Sequence, residues 1–422
     1  MNSLPPDVRL PFRRGPVEYS LGAEADHESV YQTLLHVFQG PEREEYLGSL
    51  VDPSYKPDQR LVVRLDNRIA SHVYYVERSM RLFGNHVPIQ GVMWVGTLAE
   101  YRGHGFAQNL IRLGGMRAKQ KSVLLQFAST SMPQFFKSLG WAHCGRTLFG
   151  RIASRTLPSG GEGPGDSRIG WHVRPWRQVE LGSLMKLYES QFGGVNGLID
   201  RSEEYWRWMI GRKLAHAIWV VCRGEKVLGY AFVKDHRVLE IASDPENPFA
   251  LEALLGRVRS EAIERAYPEV IIHAPGDHPV MSIVREAGGS IVNQEQWEGE
   301  ISMVNVPDHA RLLNMMLPEF ARRARAAKVT LPLELGLVMG EQRWLLHVAT
   351  SRATKLEPDR VGRRHLALSG PALTRLALGH SNIDEAVEEG EIEPSTSTAV
   401  EAARVLFPRL DLWRSPLDTI TA

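Results

Sequence analysis

The sequence predicts an α+β protein: two successive units of mixed sheet flanked by helices, followed by a smaller α/β domain. Three observations predict it. The order of strand and helix patterns over residues 15–155 is repeated over residues 168–303. Between them, residues 157–166 read Leu-Pro-Ser-Gly-Gly-Glu-Gly-Pro-Gly-Asp, six of ten Gly or Pro, which is the composition of a flexible linker. From 305 to 422 the pattern changes in kind, to a strand pair followed by helices. A chain of 422 residues is long enough for three such domains.

In the first unit, hydrophobic periodicity places a strand at 17–20, helices at 26–38 and 42–50, a strand at 61–66 and a long strand at 69–83. Gly84-Asn85 is a turn pair and makes a hairpin of the long strand and its successor. The successor ends in the apolar run Gly91-Val92-Met93-Trp94-Val95-Gly96-Thr97-Leu98. A helix over 106–121 follows, with Phe106, Ala107, Leu110, Ile111 and Gly114 on one face. A strand at 122–128, a short helix at 132–139 and a hairpin-like pair ending at 152 complete the unit.

Between that apolar strand and that helix stands Arg102-Gly103-His104-Gly105-Phe106-Ala107. A strand that ends in a glycine-rich turn and opens a helix is suited to phosphate. The first N–H groups of the helix lack partners, the helix dipole favours negative charge, and glycine lets oxygen atoms approach the backbone. The spacing is neither the G-x-G-x-x-G of dinucleotide sites nor a P-loop. It reads R-x-x-G-x-A and resembles motif A of the GNAT acyltransferases, (Q/R)-x-x-G-x-(G/A). The resemblance implies acetyl-CoA as co-substrate. Its pyrophosphate would lie on the backbone of Gly103, His104, Gly105, Phe106 and Ala107, with Arg102 adding charge. The pantetheine arm would pair with the backbone of Val95 and Thr97 where the two central strands part.

The second unit repeats the plan: a strand at 171–174, helices at 181–192 and 203–211, strands at 217–222, 228–234 and 238–243, a helix at 249–265, a strand at 270–273, a helix at 279–286 and two closing strands. At the place of the glycine-rich turn it has Asp244-Pro245-Glu246-Asn247-Pro248. Two acids and two prolines cannot cradle a pyrophosphate, so this unit is expected to bind no cofactor. In the third segment, strands at 331–339 and 343–349 flank Gly340-Glu341, a helix spans 369–378, and Thr398-Ala399-Val400-Glu401 is a capping box that opens a final helix ending near Phe407. L-x-x-L-x-L-G before an acidic stretch and V-L-F-P after it resemble a sterol carrier protein-like domain.

This tandem of two GNAT-like units and a sterol carrier protein-like domain resembles the Enhanced intracellular survival (Eis) type acetyltransferases. The resemblance implies an N-acetyltransferase that acts by direct attack of an amine on the thioester. Its acceptors would be small molecules and some lysine side chains, and it would assemble as a homo-oligomer, a hexamer in that group. It also implies a general base, the C-terminal carboxylate, here that of Ala422. His72, Glu77 and Glu100 are further candidates. The family's tyrosine acid sits four residues before a G-[FYW] pair. Here that position, ahead of Gly140-Trp141, is Phe136, which has no proton to give. Ser129 and Ser131 are the nearest alternative donors. The competing function is an acyl-CoA or lipid binding protein, a sensor with little turnover.

Composition narrows the setting. Net charge is +1, hydrophobic content 43% and charged content 23%, which give no general pull toward nucleic acid. Cys144 and Cys222 cannot form a disulfide framework, and no Cys/His spacing reads as a metal site, so no metal is expected. The first fifteen residues lack an apolar signal core and no run is long enough to span a bilayer. A cytoplasmic protein without a membrane partner is the expectation.

Overall fold

The structure, a computed structural model, describes residues 8–160, 171–349 and 353–418. The first two units contain strands β1 (Phe12–Arg14), β2 (Val17–Leu21), β3 (Arg60–Leu65), β4 (Arg68–Leu82), β5 (Asn85–Thr97), β6 (Leu125–Thr130), β7 (Ala142–His143) and β8 (Thr147–Ala153), then β9 (Trp171–Pro175), β10 (Ala217–Arg223), β11 (Lys226–Lys234), β12 (Arg237–Ser243), β13 (Glu269–His273), β14 (Ser290–Gln294), β15 (Gln296–Trp297) and β16 (Glu300–Asn305). The first sheet runs β1-β2-β3-β4-β5-β6-β16-β15, with β7 also paired to β16, and the second runs β14-β8-β13-β12-β11-β10-β9.

Side chains of β4 alternate between two apolar layers, as strand geometry requires. Tyr74 and Val76 pack with Val30, Leu34 and Tyr46 from α1 (His27–Phe38) and α2 (Arg43–Leu50). Val73 and Tyr75 pack with Phe106 and Leu110 of α3 (Phe106–Gln120) and Phe136 of α4 (Pro133–Lys137). The second unit has the same layering, with α5 (Leu181–Phe192) and α6 (Glu203–Gly211) on one face and α7 (Phe249–Glu264) and α8 (Pro279–Glu286) on the other.

The two units exchange strands, which corrects the expectation of a hairpin-like pair ending at 152. β8 leaves the first unit and lies between β13 and β14 of the second. β16 leaves the second and lies between β6 and β7 of the first. Both strands offer the same alternation to either sheet, so local sequence cannot choose between them. Residues 155 and 168 therefore divide the chain without dividing the sheets. Two smaller expectations also shift. The β4–β5 hairpin turns at Phe83-Gly84, both at positive φ, with Leu82 opposite Asn85. The strand after α3 starts at Leu125, because the helix is followed by Ser122 in the left-handed region.

The third segment is a five-stranded sheet ordered β19-β18-β17-β20-β21, from β17 (Leu333–Met339), β18 (Gln342–Val348), β19 (Lys355–Pro358), β20 (His365–Leu368) and β21 (Ile392–Pro394). Gly340-Glu341 forms the β17–β18 turn. The final helix, Ser397–Leu406, is capped by Thr396, whose hydroxyl accepts from the Ala399 N–H, two residues earlier than the capping box suggests. Leu335, Leu346 and Phe407 share one core with Met80, Leu82 and Ile89, so this segment is built onto the far end of the β4–β5 hairpin. The chain then returns without regular structure through 408–418 into the cleft between the units. No helix among the described residues is long and apolar enough to cross a membrane.

Candidate active site

The site starts from a fault in β5. Tyr74 pairs with Met93 and His72 with Gly96, so Trp94 and Val95 together face one residue of β4. This is a β-bulge, and Trp94 sits in the left-handed region at φ 51°. β5 pairs with β6 in parallel only through Ile89, Gln90 and Gly91. Beyond Gly91 the two strands part, leaving the β6 side of Val92–Thr97 without a strand partner. Val95 and Thr97, the expected pantetheine contacts, lie on this free edge.

At the foot of the opening is the N-terminus of α3. Gly103 and Gly105 have φ of 81° and 76°, which is why glycine stands at both places. Gly105 is the N-cap and no side chain caps the helix. An added Cβ on Gly105 would meet nothing nearer than the Gln108 Oε1 at 3.7 Å, and one on Gly103 nothing within 4 Å. The turn thus presents bare backbone to open space. Arg102 donates from Nε to the Thr97 carbonyl (3.3 Å). His104 faces the Tyr101 and Arg102 carbonyls through Nδ1 and stacks on Phe106 at 5.6 Å. Close packing fixes the helix on the sheet: a Cβ at Gly114 would lie 1.8 Å from the Tyr75 hydroxyl, which donates to the Leu110 carbonyl.

The sequence-predicted base candidates scatter. His72 is fully buried, and both ring nitrogens are engaged, Nε2 by Arg60 (3.2 Å) and Nδ1 by the Trp94 carbonyl (3.1 Å). Burial, helped by the Arg60 charge, holds its pKa well below the ordinary value. With both ring nitrogens engaged, the ring has none free to take a proton from an amine in the cleft. Glu77 lies at the far end of α3, bound to Lys121 (2.7 Å) and Gln90 (3.2 Å), about 20 Å along the helix from Gly105 at 1.5 Å per residue. Glu77 thus lies well away from the glycine-rich turn. Glu100 is half-exposed in an ion pair with Arg68. Ser129 donates to the Glu300 carboxylate across the β6–β16 pair. Phe136 packs edge-on against Trp141 (5.0 Å) and brings no polar atom.

Three features are invisible to sequence reasoning. A cavity of about 750 Å³ opens where the three parts meet, bordered by Phe127 and Ser129 of β6, Glu300 of β16, Trp297, and the tail. The tail itself is pinned: Trp413 donates to the Asn196 carbonyl (2.9 Å) and stacks on Phe192, Arg414 lies over Phe127 (4.9 Å), and Asp418 pairs with Arg201 (2.8 Å). Arg201 also pairs with Glu240 (2.7 Å), and all three of these charged side chains are fully buried. Ala422 lies outside the described residues. Finally, His143, Glu295 and His380 place ligand-type atoms within 4.8 Å of one another. The His380 Nδ1 accepts the Gly145 N–H, so Nε2 carries the proton and faces Glu295. Neither His143 Nε2 nor His380 Nε2 makes a hydrogen bond among the described residues.

In the second unit the matching turn is closed from within. The Asp244 carboxylate accepts from the Glu246 N–H and the Asn247 side chain, both at 3.1 Å.

Among curated proteins the sequence finds no match. Solved structures do match the fold. A GCN5-related N-acetyltransferase from Anabaena variabilis is 14% identical, with a TM-score of 0.71, over 94% of this chain and 99% of that one. A GCN5-related N-acetyltransferase from Kribbella flavida is 17% identical, with a TM-score of 0.71, over 95% and 98%. Eis1 from Mycobacterium abscessus is 14% identical, with a TM-score of 0.67, over 94% and 98%. At these identities the likeness is one of fold. Residues 18–144, from β2 to just past the end of β7, match the family model described as the Acetyltransferase (GNAT) domain.

Proposed function

We propose that this protein is an acetyl-CoA-dependent N-acetyltransferase acting on an amine of a small molecule, with lysine side chains as further acceptors. The observation that carries the proposal is the parting of β5 and β6 above an uncapped, glycine-opened helix N-terminus. A phosphate-bearing arm fits that geometry: pyrophosphate on residues 102–107, pantetheine along Val95 and Thr97, and thioester at the bulge. The cavity beside Phe127 and Ser129 is large enough for a drug-sized acceptor. The amine attacks directly, and positioning supplies much of the rate gain.

In this reading residues 15–155 are catalytic, 168–303 hold no cofactor, and 305–422 are a sterol carrier protein-like domain that completes the cavity and returns the tail. The terminal carboxylate of Ala422 is the base. The tail's course supports this, because Asp418 is anchored to the buried Arg201 in the cleft. Phe136 leaves the acid to another group. The Tyr74 hydroxyl is buried without a partner beside Met93 and Trp94, and burial raises its pKa, so it stays protonated. Ser129 is the other donor. A cytoplasmic homo-oligomer, hexameric by the Eis resemblance, belongs to the same proposal.

The test is thiol release from acetyl-CoA across a panel of amines. Turnover that requires an amine supports the enzyme. Tight binding without turnover across the panel supports the second reading, an acyl-CoA sensor, which Phe136 in the tyrosine's place favours.

A further inference from the structure

Arg60, the first residue of β3, is buried and has no carboxylate partner among the described residues. Its guanidinium lies among four aromatic rings, 4.4 Å from the Tyr74 centroid, 5.0 Å from Tyr46, 5.3 Å from Tyr55 and 5.4 Å from Trp94. Its N–H groups go to neutral acceptors: the Tyr55 hydroxyl (3.1 Å), the Ser49 hydroxyl (3.0 Å) and the His72 Nε2 (3.2 Å). A buried charge is normally paired with its opposite. Here the positive charge has no bonded carboxylate among the described residues, and one of the groups it bonds, His72, reaches the bulge. His72 accepts at Nε2, so its proton is on Nδ1, and Nδ1–H donates to the Trp94 carbonyl (3.1 Å).

That carbonyl belongs to the peptide at the bulge. The peptide is trans, so the Val95 N–H points opposite to the Trp94 C=O. The carbonyl turns toward His72 of β4. The N–H therefore turns away from His72, in a stretch of β5 that has no β6 partner beyond Gly91. A hydrogen bond to a peptide oxygen strengthens the same peptide's N–H as a donor, because bonds in a chain polarise one another. The left-handed φ of Trp94 is an unfavourable conformation for a bulky residue and persists only where its surroundings enforce it.

We propose that Arg60 and His72 are positioning residues that hold the bulge and polarise the Trp94–Val95 peptide, making the Val95 N–H the donor to the thioester oxygen during acyl transfer. The step balances simply. The amine lone pair forms the C–N bond, and the carbonyl π pair moves onto oxygen, where the Val95 N–H meets it. That pair then returns as the C–S bond breaks, and the proton shed by nitrogen ends on the CoA sulfur. This inference rests on the acyltransferase reading above, and one set of experiments separates the two.

The carbonyl stretch of acetyl-CoA labelled with ¹³C at the carbonyl is recorded free and bound, without amine, for the wild type and for Arg60→Met, Arg60→Lys and His72→Phe. CoA affinity and steady-state rates are measured alongside. The wild type should shift the stretch to lower frequency. Arg60→Met and His72→Phe should lose most of the shift and about tenfold to a hundredfold in kcat, short of the full loss of an oxyanion donor, with CoA affinity within about threefold. Arg60→Lys should recover part of both. Variants with a wild-type shift and kcat overturn this inference and leave the acyltransferase reading intact. A wild type that binds no acetyl-CoA overturns both. Should the variants fail to fold, ¹⁵N spectra of wild-type His72 decide the matter, because a proton on Nε2 instead of Nδ1 contradicts the relay.

Discussion

Replacing Gly105 by Val should abolish acetyl-CoA binding while leaving the protein folded, and the structure separates the two effects. In the free protein the new Cβ has room, since its nearest neighbour would be the Gln108 Oε1 at 3.7 Å. The folding cost is then the left-handed φ of 76°, which a β-branched residue tolerates badly, at about 1–3 kcal/mol. The binding cost is larger. Under the proposed assignment the side chain projects where phosphate oxygens approach the bare N–H groups of the first turn. Losing two charge-assisted hydrogen bonds at about 1.5–3 kcal/mol each comes to about 3–6 kcal/mol. At about 1.4 kcal/mol per tenfold, the dissociation constant should rise about a hundredfold to ten-thousandfold. Calorimetric titration with CoA measures this, and thermal unfolding checks that the variant is folded. A folded Gly105→Val protein that binds CoA within about threefold of wild type refutes the phosphate assignment of this turn.

Gly114→Ala should behave in the opposite way: its methyl would collide with the buried Tyr75 ring, so about 3 kcal/mol of stability should go first, and an unchanged denaturation midpoint would show that α3 sits differently. Calorimetry of the wild type should find one CoA per chain, because Asp244 already closes the second turn; two sites would contradict that reading. Removing residues 419–422 should lower kcat about a hundredfold to ten-thousandfold with little change in acetyl-CoA affinity, whereas full activity in a C-terminally extended protein would return the base to other groups. Arg201→Met leaves Glu240 and Asp418 buried and uncompensated, so it should cost about 3–5 kcal/mol in chemical unfolding; a wild-type midpoint would mean that the pair is not charged.

The glycine-rich turn was legible because its requirements are local. Two left-handed positions at Gly103 and Gly105, an apolar strand before them and an amphipathic helix after them all fall within thirty or so residues of chain. The helix–strand order of both units follows from the same short-range periodicity. The Asp-Pro-Glu-Asn-Pro turn likewise marks the second unit by local chemistry alone. His72 was placed on the right strand, but alternation along β4 says which face it takes and nothing about the Arg60 that meets it there.

What the chain's own order determined, then, is the set of elements and the phosphate-type turn, because backbone conformation and amphipathicity are decided among neighbours. Only the tertiary structure decided the rest. β8 and β16 cross between sheets that either could have joined. Arg60 and His72 meet below the bulge, twelve residues apart on different strands. The tail carries Asp418 to Arg201 across 217 positions. His143, Glu295 and His380 gather from three distant segments. Each of these depends on which apolar faces bury against each other, and that choice is made by the packing of the whole chain, where sequence spacing no longer measures distance.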